Sequence, residues 1–132
     1  MIIAFLNGCN GITSQPEGKV FVDGEQYTMM PYDFEWNEDN VEIKSLGSPD
    51  IATLADDFAT VEVEKGEIVK FDIDQHPFAV TVTKRNEDGS SNIVEMEDRQ
   101  ITMPSKEGYY IYELHATWHK GKESFIFDVD VK

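Results

Sequence analysis

Cys9 is the only cysteine in the chain, so no disulfide can close within it and no cysteine-rich metal site can be built. Histidine is nearly as scarce: His76, His115 and His119 are the whole supply. No window approaches the roughly 20 apolar residues of a membrane-spanning helix. Basic side chains are few, with 11 Lys and Arg against 26 Asp and Glu and a formal net charge of −15. A field of that sign repels phosphate backbones and anionic head groups, which argues against nucleic acid and against direct adsorption to a membrane surface. It favours solubility, cations and basic partners. No glycine-rich loop precedes a helix to cradle a phosphate. No Gly-x-Ser-x-Gly turn presents a serine, and Ser90, Ser91 and Ser105 have no histidine spacing that argues a triad. The carboxylates could pair for glycoside hydrolysis, but an acidic coat always supplies such pairs, and no aromatic-lined cleft can be inferred around one. The reading is of a protein that is not an enzyme.

What is present is alternation. Tyr110, Tyr112, Leu114, Ala116 and Trp118 fall on one face of a strand, with Tyr109, Ile111, Glu113, His115 and Thr117 on the other. After the polar tip His119-Lys120-Gly121-Lys122, Phe125, Phe127, Val129 and Val131 repeat the pattern against Ser124, Ile126, Asp128 and Asp130. Two such strands form a long hairpin at the centre of a sheet with something packed on it. Upstream, Asp23-Gly24 predicts a tight hairpin turn between Lys19–Asp23 and Glu25–Met29. Tyr32, Phe34 and Trp36 are expected to share a face, as are Phe78, Val80 and Val82. The acidic run from Asp33 lacks the glycine and the closing glutamate of an EF-type loop. One helix is expected, about ten residues long, with Ser48 as N-cap and Ile51, Leu54, Ala55 and Phe58 on its buried face, plugging an open end of the sheets. About nine short strands and one helix predict an all-β antiparallel sandwich spanning 19–132.

The first nine residues differ from the rest. Leu6-Asn7-Gly8-Cys9 resembles the lipobox of bacterial lipoproteins, in which the cysteine is freed and lipidated. The resemblance implies that residues 1–9 are the remnant of a longer signal peptide. It also implies that 10–18, rich in polar residues and breakers, is a tether. The protein is then anchored to the membrane through Cys9, on the extracellular face of a bacterial cytoplasmic membrane, where a multiply acylated cysteine holds stably. The residues alone leave another option open: a short first strand with a buried thiol.

Two further resemblances concern the sandwich. Gly108-Tyr109-Tyr110, followed by Tyr112, resembles the tyrosine corner of immunoglobulin-like domains, which implies that the Tyr110 hydroxyl bonds back to nearby backbone. Val61 to Phe71, then His76 and Gly108 to Tyr112, resemble the cupredoxin framework, whose copper is held by two His, one Cys and commonly a Met. His76 stands near the first histidine of that set. Leu114, Thr117 and Lys122 stand where the cysteine, the second histidine and the methionine would be, so the copper ligands are not retained.

The expectation is therefore a non-catalytic module with a binding or structural role at the cell surface, in an immunoglobulin-like or cupredoxin-like sandwich, monomeric and without a cofactor. An unknown protein or small ligand would be met around His76, Pro77, Tyr109 and His119. The alternative is a weak Cu or Zn site using His76 and His119.

Overall fold

The structure, a computed structural model, describes residues 15–38, 41–46, 51–56 and 58–132. Cys9, the lipobox around it and the expected cap at Ser48 lie outside the described residues. Strands β1 (Gly18–Val22), β2 (Glu25–Thr28), β3 (Met30–Glu38) and β4 (Val41–Leu46) precede helix α1 (Ile51–Ala55). Then come β5 (Val61–Val63), β6 (Ile68–Ile73), β7 (Ala79–Arg85), β8 (Ser91–Val94), β9 (Gln100–Thr102), β10 (Gly108–Trp118) and β11 (Gly121–Val131). Among the described residues these form a four-stranded sheet, ordered β9-β6-β1-β2, and a seven-stranded sheet, ordered β4-β3-β11-β10-β7-β8 with β5 beside β11. Every pairing is antiparallel except that of β5 with β11. The result is an all-β sandwich with one short helix.

The β10–β11 hairpin is the spine. It pairs Gly108 with Val131 and Trp118 with Gly121 in unbroken register. Its predicted inner face is buried: Tyr112, Leu114, Phe125, Phe127 and Val129 are all no more than 1% exposed. Val20, Val69, Phe71, Ile73 and Ile101 meet them from the small sheet. Tyr112 stacks on Phe127 with ring centroids 5.0 Å apart. The Asp23-Gly24 turn has φ of 51° and 83°, the paired left-handed residues that suit a two-residue hairpin.

The bond expected of Tyr110 is present: its hydroxyl donates to the Lys106 carbonyl at 2.8 Å. Tyr110→Phe should cost about 1 kcal/mol, the usual net worth of such a bond, and chemical denaturation would read it as a lower midpoint at unchanged slope.

Three expectations are corrected. Tyr32 does not share a face with Phe34 and Trp36. The β3–β11 register slips between Ser124 and Phe125, leaving Tyr32 as an extra residue between Pro31 and Asp33. That bulge turns Tyr32 to the outer face, where it packs near Ile111 and Ile126. Phe78 does not follow Val82 inward; it precedes β7 and is 62% exposed. Finally, α1 spans only Ile51–Ala55 and covers the outer face of the large sheet, through Ile51 and Ala55 on Ile111 and Ile126, instead of plugging an end.

After α1 the chain crosses from the outer face to the interior. β3 pairs β11 as far as Ile126, and β5 takes over the same edge from Val129. Between them Phe58 enters the core, its ring centroid 6.5 Å from that of Phe127. Asp128 sits at this gap, 1% exposed, and accepts a hydrogen bond from the Tyr109 hydroxyl. Burial pushes its carboxyl above the ordinary aspartate range, with the Tyr109 and Thr60 hydroxyls working the other way.

Candidate functional site

The loop between β6 and β7 carries the chain from the small sheet to the large one, and the β10–β11 tip rises beside it. The Phe78 amide donates to the Thr117 carbonyl at 2.9 Å, fixing the loop to the tip. The Phe78 ring then lies against the His119 ring, centroids 4.8 Å apart and planes 34° apart. Both residues are exposed. The same end receives the N-terminal segment, since the Asp74 amide donates to the Glu17 carbonyl at 3.0 Å.

A groove leads away from this ring pair along the outer face of β3, β11 and β10. Its upper part, about 340 Å³, is walled by Asn37, Glu42, His119 and Lys120. Its lower part, about 370 Å³, is walled by Asp33, His115 and Ser124. Glu35, Thr117 and Lys122 line both, so the two cavities adjoin. Lys122 and Glu35 pair across the groove at 3.6 Å, and both are exposed enough that water weakens the pair.

The floor of the groove continues into a polar chain. His115 Nδ1 and Ser124 Oγ are 2.9 Å apart. The Tyr32 ring stands edge-on to His115, and its hydroxyl donates to Glu113 Oε1 at 3.2 Å. Arg85 donates to the other Glu113 oxygen at 3.2 Å. Burial, followed by the Glu113 charge, pushes the Tyr32 phenol up to about 12, so it stays a donor at any physiological pH. A serine beside a histidine invites comparison with a nucleophile and its base. These two, however, are directly opposite residues of β10 and β11, and contact between them is what cross-strand register delivers.

Of the residues singled out from sequence, His76, Pro77 and His119 come to one end of the sandwich. Pro77 is buried there while His76, at φ 49°, is exposed. The ring that meets His119 is that of Phe78. No group of three or more His, Cys, Asp and Glu that could hold a metal ion occurs among the described residues. Tyr109 lies far from this end: ten residues separate it from His119 along the hairpin, about 33 Å of strand. Its hydroxyl is committed to Asp128.

Sequence reasoning missed Phe78 and Glu123. Phe78 follows a proline at the start of an alternating run, and simple alternation assigns it inward. Glu123 is in phase with Phe125, Phe127 and Val129, and a carboxylate at a core phase is itself the signal. It is 1% exposed, opposite Ala116 and Phe34. No family model, no curated protein and no solved structure matches the chain.

Proposed function

We propose that this protein is a non-catalytic binding module, lipid-anchored through Cys9 on the extracellular face of a bacterial cytoplasmic membrane, that meets its ligand at the end carrying Phe78 and His119. Its sandwich is of immunoglobulin-like or cupredoxin-like kind with the copper ligands lost. The observation that carries the binding half is the Phe78–His119 ring pair: a phenylalanine 62% exposed, held by a backbone bond and a second ring at the mouth of a polar groove. Large apolar groups held rigidly in water are the usual anchors of recognition. The anchor half rests on the Leu6–Cys9 motif. Six residues separate Cys9 from Gln15, a reach of about 20 Å when extended, so in this reading the ligand end faces the membrane.

Phe78→Ala should change stability by less than about 0.5 kcal/mol, as expected for an exposed side chain. A photo-crosslinking residue at position 78 should capture a partner on intact cells. The same residue at position 93, where Ile93 is 85% exposed on β8, should not. Equal capture at both positions removes the reading. For the anchor, palmitate should label the full-length precursor in a bacterial host and fail to label Cys9→Ala. The alternative is a weak Cu or Zn site using His76 and His119, with no group of three or more such ligands among the described residues. Titration with Cu(II) or Zn should show no uptake that a His76→Ala/His119→Ala double variant abolishes; such uptake would restore it.

A further inference from the structure

We propose that residues 15–17 form a pH-released strap, which clamps the end of the sandwich through Glu123 while that side chain is a neutral acid and lets go when it becomes a carboxylate. The strap prolongs the β1–β6 ladder beyond its last pair, Gly18 with Ile73. The Glu17 amide donates to Asp74 Oδ2 at 3.0 Å, and the Asp74 amide donates to the Glu17 carbonyl at 3.0 Å. Pro16 is buried, and the small cleft beside it, about 200 Å³, is lined by Met29, Pro31 and Phe125. Gln15 closes the arrangement by donating from Nε2 to Glu123 Oε2 at 2.7 Å.

Glu123 is the one acid on the core-facing side of β11, and its other oxygen, Oε1, accepts no hydrogen bond among the described residues. The charged groups facing it are both acids, Glu17 from the strap and Asp74 from the loop after β6. The ionisable side chains beside it on the three adjoining strands, Asp33, Glu35, His115 and Lys122, occupy alternate positions around the outer groove. His76 and His119 are exposed. A neutral carboxyl can be buried here at modest cost and keeps its bond from Gln15. A carboxylate with one bare oxygen and two acidic neighbours cannot, because it needs water that the strap excludes. Ionisation and closure therefore compete.

Burial first, then Asp74 and Glu17, hold the Glu123 pKa up at about 7, with the Gln15 bond pulling the other way. The sign follows. A raised pKa in the closed state means that the stabilisation of closure is complete below the ordinary glutamate range and is lost as pH rises through about 7.

Hydrogen exchange on the full chain tests this through the Glu17 and Asp74 amides. Between about pH 5.5 and 8.5 their protection, corrected for the intrinsic rate, should fall about thirtyfold, the ratio set by a pKa of about 7 closed and an ordinary one open. The β10–β11 amides should not change. Glu123→Gln, which keeps the oxygen that Gln15 bonds, should remove the step and keep the strap protected at both pH values. Gln15→Ala should lower protection at both. A flat wild-type profile, or a step that survives in Glu123→Gln, overturns the proposal. So does a Glu123 carboxyl that titrates, by its ¹³C shift in the unmodified protein, in the ordinary glutamate range.

Discussion

Replacing Phe127 with alanine will cost about 3–5 kcal/mol and lower the melting temperature by about 10–20 °C. Phe127 has no exposed surface and is stacked on Tyr112, with planes only 6° apart. It also meets Phe58, the residue that brings the chain in from the outer face. Deleting the ring therefore leaves a cavity whose walls belong to β10, β11 and the crossover, and central strands cannot collapse into it without breaking register. Calorimetry would read the loss. A change below about 1 kcal/mol would mean that the two sheets do not close on this ring.

The second large effect is expected at Gly121, where β11 leaves the tip and runs against β3. A Cβ built there would overlap the Glu35 carbonyl oxygen and lie 2.9 Å from Trp36 Cα. Both obstacles are backbone, so neither can swing aside as a side chain would. Gly121→Ala must push β3 and β11 apart at the Trp36–Gly121 pair, at a cost of about 3 kcal/mol. Near-ultraviolet circular dichroism will report it as well, since Trp36 and Trp118 sit edge to face with centroids 5.4 Å apart at this point. An alanine variant with the parent melting temperature and unchanged aromatic signal would refute the close approach.

These positions show how far the sequence alone could be read. The hairpin from Gly108 onward was legible because its alternation runs for more than twenty residues, and because one sheet face must be dry for a core to exist. The Asp23-Gly24 turn and the Tyr110 bond were legible because each has a local chemical cause. Tyr32 was not. A bulge inserts one residue without changing the apolar pattern that precedes it, so counting by twos carried straight through it. The helix was overextended because Ile51, Leu54, Ala55 and Phe58 do keep helical spacing, yet Phe58 is claimed by the interior beyond the crossover. At the candidate site, alternation points to His76, Pro77, Tyr109 and His119, whereas the ring that meets His119 is that of Phe78. Exposure of a large apolar group depends on which turn precedes it, and periodicity carries no such information.

The gap on the β11 edge bears on how the molecule assembles. β3, β5 and β10 all draw their partner from β11, which follows every other described strand in the chain. Until those residues are free to move, the large sheet has no middle and the upstream strands have little to close upon. The pairings of β3 and β5 with β11 span long sequence separation, and pairings of that kind form slowly.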